Sequence, residues 1–103
     1  MDNLFNAPQY IKGAQIYLSA SFTDAAGDLI DPTGVVLKYK IQNGSTTTLT
    51  YGVDAALVKD STGVYHCYIT PSTAGVYYYR WEASGTTSTG AVEGLFVLVE
   101  SKF

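Results

Sequence analysis

The sequence predicts an all-β fold, a β-sandwich of about seven short antiparallel strands that holds together without a disulfide. Three observations carry this. No stretch sustains a helical period, apolar residues alternate over short runs, and Gly, Pro, Asn and Asp punctuate those runs at close intervals. With 103 residues the chain has the length of one domain with a single core. The expected division is 1–8 as an N-terminal arm, 9–100 as the sandwich and 101–103 as a C-terminal tail.

The elements follow in order. A weak strand is expected from Gln9 to Lys12, with its sheet left open. In "AQIYLSASF", Ile16, Leu18, Ala20 and Phe22 share one face, and Tyr17, Ser19 and Ser21 the other, as in a half-buried strand. "TDAAGDLIDPTG" reads as loop, because Gly27, Pro32 and Gly34 interrupt any regular element. "VVLKYKIQ" points Val35, Leu37, Tyr39 and Ile41 inward and Lys38 and Lys40 outward. Asn43-Gly44 signals a hairpin, since both residues tolerate positive φ, and a Thr-rich strand returns near a sheet edge. "DAALVKDSTG" reads as a loop with room for a turn of helix. "VYHCYIT", "VYYYRWEA" and "AVEGLFVLVE" are strands, with Gly94 a candidate bulge in the last.

The stretch "AGVYYYRWEASG" concentrates three tyrosines and the single tryptophan. Side chains of a strand alternate between faces. Arg80 and Glu82 therefore fall with Val76 and Tyr78, and Tyr77, Tyr79, Trp81 and Ala83 fall together on the opposite side. The charged side belongs in water, so the Tyr77, Tyr79 and Trp81 row belongs to the core, with Phe22 and Phe96. Burying Trp81 removes roughly 150–250 Å² from water, worth about 4–6 kcal/mol before entropy costs. A solvent-facing stacking platform would forgo that gain.

Composition narrows the function classes. Charged residues are only 15% of the chain, against a usual share of about 25%. The surface is thus built from Ser, Thr, Gly, Asn and Tyr. Such a surface is cheap to desolvate and suits packing against neighbours, and it equally describes an uncharged, polar β surface. Net charge is −3, and Lys12, Lys38, Lys40, Lys59, Arg80 and Lys102 are scattered. Nucleic acid binding needs a positive stripe, which the sequence lacks. No run has the length of a membrane span, and "MDNLFNAPQY" has neither the basic nor the apolar region of a secretion signal.

Candidate chemistry is sparse. Cys67 is the single cysteine and sits in an apolar strand, the setting of a buried structural thiol. His66, the single histidine, points to the opposite face of that strand, so the two form no Cys–His pair. No phosphate cradle, paired-cysteine metal motif or nucleophile elbow is present. Asp24, Asp28 and Asp31 offer oxygens in a Gly-containing loop, as calcium requires. Their spacing is not that of an EF-hand, and Asx-turns or capping by Asp24 and Asp31 is the expected use. Nothing picks out a carboxylate pair for glycoside hydrolysis. No catalytic, cofactor or metal residues are assigned, and no enzyme activity is expected.

Two resemblances bear on function. "TAGVYYY" resembles the entry to strand F of immunoglobulin-like domains. The resemblance implies a tyrosine-corner role for Tyr77, its hydroxyl returning to backbone a few residues upstream, and puts Tyr79 where such domains carry a disulfide cysteine. The chain therefore resembles the disulfide-free variants made inside bacteria. Over residues 10 to 100, Phe22, Asp24 and Gly27, then Asp31-Pro32-Thr33 and Val35, then "DSTGVY", "AGVYYYRWEASG" and "EGLFVLVE" resemble the small immunoglobulin-like virion proteins of tailed bacteriophages. That resemblance implies a non-enzymatic structural subunit of the virion, assembled in the bacterial host cytoplasm. Its expected role is decoration or cement bound to the major capsid protein, or else a neck or tail adaptor. Self-association is a further arrangement. Expected contacts are Leu4, Phe5 and Phe103 in the terminal segments and the outward Tyr17, Tyr68 and Tyr78. A sandwich module that binds carbohydrate or cell surfaces is the alternative, and it calls for Tyr17, Tyr68 and Tyr78 to form one exposed cluster.

Overall fold

The computed structural model describes residues 7–85 and 90–103. Among these, eight strands follow in order: β1 (Gln9–Ile11), β2 (Ile16–Ser21), β3 (Gly34–Ile41), β4 (Thr47–Thr50), β5 (Leu57–Ser61), β6 (Val64–Ile69), β7 (Gly75–Ser84) and β8 (Ala91–Val99). They form a five-stranded sheet, β1-β8-β7-β3-β4, and a three-stranded sheet, β2-β6-β5. Strand alternation gives each sheet one face toward the other and one toward solvent.

Two expectations are corrected. The segment read as loop before "GVYHCYI" contains β5, an edge strand. Only Leu57 in it is buried, so its polar residues hide it from a pattern search. Gly94 is not a bulge, because β7 and β8 pair in unbroken register from Gly75↔Leu98 to Glu82↔Ala91. The glycine serves a close approach instead. A Cβ at position 94 would lie 2.4 Å from the Tyr79 hydroxyl, so the Tyr79 ring lies across β8 only because no side chain stands there. The first strand also finds its sheet. β1 departs from the antiparallel pattern of the other strands and runs parallel to β8, Gln9 opposite Val97 and Ile11 opposite Val99.

The core fills the space between the sheets. Ile16, Leu18, Ala20 and Phe22 from β2 and its exit join Val35, Leu37, Tyr77, Trp81, Phe96 and Leu98 of the larger sheet in one cluster. Trp81 is fully buried, flanked in register by Leu37 on β3 and Val92 on β8. Tyr77 stacks on Phe96, with centroids 5.0 Å apart and planes at 4°. The Tyr77 hydroxyl donates to the Thr73 carbonyl at 2.6 Å, so the ring is core and the oxygen ties the turn before β7. Tyr79 is partly buried, and burial raises its pKa, helped by the nearby Tyr10.

The β2–β3 loop is fastened to the β5–β6 hairpin. Phe22 N–H donates to Gly63 O at 2.8 Å, and Ile30 N–H donates to Phe22 O at 3.1 Å. Gly63 has φ +72°, and a Cβ there would lie 2.7 Å from Phe22 O and 2.9 Å from Ile30 O. Gly52 also has a positive φ, +89°, but faces open space. Gly52→Ala should therefore cost about 1–2 kcal/mol from backbone strain alone. Gly63→Ala should cost more than that, lowering the melting temperature by about 10 °C or more. Thermal melts of the two variants side by side test this.

Candidate functional site

The side chains that face outward from the two sheets make the candidate sites. On the five-stranded sheet they divide into two regions. An aliphatic column of Leu95, Val97 and Val99 runs along β8, with Ile11 beside it on β1 and Val76 and Tyr78 on β7. Val97 stands opposite both Gln9 and Val76, and Leu95 opposite Tyr78, so the column and its neighbours form one band. Ile11 is 59% exposed, and the rest of the band is partly buried.

The second region is a ladder of charges. Lys38, Arg80 and Glu93 share a rung across β3, β7 and β8. Arg80 donates from Nε to Glu82 at 2.7 Å and from a terminal nitrogen to Glu93 at 2.7 Å, while Lys38 reaches Glu82 at 3.2 Å. The hydrogen bonds from Arg80 and then Lys38 hold the Glu82 carboxyl below its usual pKa, and those to Glu93 and Glu82 raise Arg80. Between this rung and the row Lys40, Tyr78 and Leu95 runs an open groove of about 400 Å³, bordered also by Tyr39, Tyr79 and Gly94.

The three-stranded sheet carries the other site. Tyr17 on β2 pairs directly with Tyr68 on β6, and Ser19 with His66. Tyr17 and His66 stack at 5.3 Å and 25°; Tyr68 meets Tyr17 at 5.2 Å and His66 at 5.5 Å, edge to face in both cases. The register of β5 against β6 shifts between Lys59 and Ser61, leaving Asp60 as the extra residue. Such a bulge re-aims a side chain, and here the Asp60 carboxylate lies 2.7 and 2.8 Å from His66 Nδ1. The sequence hides Asp60 because its segment reads as loop; the β-branched Val58 beside Leu57 is the one strand signal there.

The expected site residues thus scatter. Tyr17 and Tyr68 come together, but Tyr78 is on the outer face of the other sheet, so the three do not form one cluster. Phe103 is exposed, and Leu4 and Phe5 lie outside the described residues. Phe22, Tyr77, Trp81 and Phe96 are buried, with Tyr79 packed beside them. Cys67 is fully buried, and burial raises its thiol pKa.

The loop aspartates do not converge. Asp24 accepts the backbone N–H groups of Ala26 and Asp28 at 2.9 and 3.1 Å, an Asx-turn. Asp31 departs from that expectation. It reaches out of its own loop, accepting from Lys59 Nζ at 2.7 Å and from the Gly63 N–H at 2.8 Å. Among the described residues no three His, Cys, Asp or Glu side chains are placed to hold a metal.

No family model and no curated protein matches the sequence. Among solved structures the chain is similar to the Lin-41 filamin domain, with a TM-score of 0.65 at 21% identity, over 91% of this chain and 85% of that one. The fold is an immunoglobulin-like β-sandwich. The chain is also similar to part of a candidate glycoside hydrolase from Bacteroides vulgatus (TM-score 0.60, 15% identity, 91% of this chain). A third similar structure is an engineered protein (TM-score 0.56, 17% identity, 92% of this chain). This chain spans only 16% of the length of the former and 18% of the latter. At such identities the likeness shows the fold alone.

The Asp31 contacts set a pH dependence. Hydrogen bonds from Lys59 and then Gly63 hold its carboxyl below the ordinary 3.8. Its stabilisation is therefore complete above that unfolded value and is lost as pH falls through the lower folded one. Lys59, raised above 10.5 by the same pair, contributes fully below its unfolded value and loses its part as pH rises through the folded one. Asp31→Asn should be less stable at pH 7 and show a shallower loss of stability below about pH 4, with Glu82 supplying part of the remaining slope. Urea melts from neutral to acid pH measure both effects.

Proposed function

We propose that this chain is a non-enzymatic structural subunit of a phage particle, a decoration or cement subunit held on the shell by the aliphatic band of the larger sheet. The single observation that carries the docking surface is that band. An outward sheet face in a lone domain is ordinarily polar, whereas Ile11, Val76, Leu95, Val97 and Val99 adjoin one another on this one. The charged ladder beside them supplies a polar border, the layout of a protein–protein interface.

The particle itself comes from the sequence resemblance to immunoglobulin-like virion proteins, while the structures similar to this chain share its fold. The mechanism is adhesion without chemistry. Covering the band removes apolar surface from water at about 25 cal/mol per Å², and many copies on a repeating lattice add through avidity. A neck or tail position would use the same face in a ring of fewer copies.

Two measurements test the proposal. The copy number of the chain in purified particles, relative to the most abundant shell protein, should be near one or a simple fraction of it. About six to twelve copies would place it in a ring at the neck or tail, and absence would overturn the virion reading. Val97→Lys and Leu95→Lys should each cut incorporation at least tenfold, about 1.4 kcal/mol, with thermal melts close to those of the parent. Undiminished incorporation would remove the band from the interface.

A further inference from the structure

We propose that the outer face of β2 and β6 is a binding site for a neutral saccharide, with Tyr17 and Tyr68 as the ring-contacting surfaces and His66, oriented by Asp60, as a hydrogen-bond acceptor. The site is on the sheet opposite the aliphatic band, so it stands or falls independently of the docking proposal.

Tyr17 and Tyr68 are 49% and 47% exposed, although each could gain by burial. Their planes meet at 61°, forming a corner rather than a flat wall. Apolar C–H faces of a sugar ring suit aromatic surfaces of this kind, and the sugar hydroxyls need polar partners close by.

His66 supplies one. The Asp60 carboxylate against Nδ1 selects the tautomer in which that nitrogen donates, so whenever the ring is neutral its Nε2 is the acceptor. Nε2 has no hydrogen-bond partner among the described residues, and it is not sealed from solvent. A hydroxyl donor is the ligand group it suits. The exposed Ser19 stands directly opposite His66 and adds a hydroxyl that both donates and accepts.

Charge selects the class. Asp60 is the acidic group at the site, and the chain carries a net charge of −3, so an acidic sugar is disfavoured and a neutral one fits. A protein partner fits less well, because the patch carries a carboxylate–imidazole pair and the cores of protein interfaces are depleted of charge.

The experiment is a heteronuclear NMR titration of the full chain with methyl β-glucoside, methyl β-galactoside and chitobiose, and with glucuronate as the acidic comparator. The expected result is saturable shifts centred on Tyr17, His66 and Tyr68 for at least one neutral sugar, and weaker or no binding of glucuronate. Tyr17→Ala and Tyr68→Ala should each lose at least tenfold in affinity. Tyr78→Ala, on the opposite sheet, should leave binding unchanged. His66→Phe keeps a ring but removes the acceptor, so it should weaken binding while the patch stays aromatic. Should a tyrosine variant fail to fold, the shift map of the parent chain decides by itself. No saturable shift with any of the three neutral sugars up to about 50 mM would overturn the proposal. Shifts centred elsewhere, or equal binding by the Tyr17 and Tyr68 variants, would do the same.

Discussion

The burial of Trp81 is the constraint on which the rest of the larger sheet depends. The indole fills the middle of the core between Leu37 and Val92, and its Nε1–H has no acceptor among the described residues. An unsatisfied buried donor costs about 1–3 kcal/mol. Removing the ring from water contributes roughly 4–6 kcal/mol before entropy costs, so the apolar term wins. Once Trp81 faces inward, alternation assigns every other side chain of β7. Tyr77 and Tyr79 must follow it into the core, and Arg80 and Glu82 must turn out. The neighbouring strands then receive their faces from register, which is how Lys38 and Glu93 come to flank Arg80.

A second fastening lies at the other sheet. Asp31 crosses from its loop to Lys59 and to the Gly63 N–H, while Phe22 and Ile30 close backbone hydrogen bonds around the same glycine. These contacts hold the β5–β6 hairpin where a single-residue bulge fits. The bulge places Asp60 on His66. The Asp60 contact to His66 thus lies in a hairpin that a distant loop ties down, while the outer rings themselves are brought together by the pairing of β2 with β6.

The two outer faces differ in character for a reason visible in their strands. β8 carries apolar residues on both parities from Leu95 to Val99, so one set enters the core and the other is left outside. β2 and β6 alternate strictly, and their outer positions hold tyrosine, serine and histidine, with Val64 at the start of β6. One face offers aliphatic area, and the other offers rings interleaved with hydrogen-bonding groups. Carboxylates engage in ion pairs and turns across the sandwich, as with Asp24, Asp31, Glu82 and Glu93, an arrangement that stabilises it.

Short-range pattern in the sequence determined the sandwich, the inward row of Tyr77, Tyr79 and Trp81, the buried side of β2 and the opposite facing of His66 and Cys67. Each of these follows from period-two alternation, which is a local property of the chain. The return of the Tyr77 hydroxyl to the backbone was implied instead by the resemblance of "TAGVYYY" to the entry to strand F, and its acceptor, Thr73, belongs to the adjoining turn. Tertiary structure alone decided the rest. The parallel pairing of β1, the strand character of Leu57–Ser61 and the reach of Asp31 to Gly63 depend on contacts that local pattern does not encode. So does the division of the outward tyrosines. Alternation says that Tyr17, Tyr68 and Tyr78 all face out, but not from which sheet, and only strand pairing brings the first two together and sends the third to the opposite side.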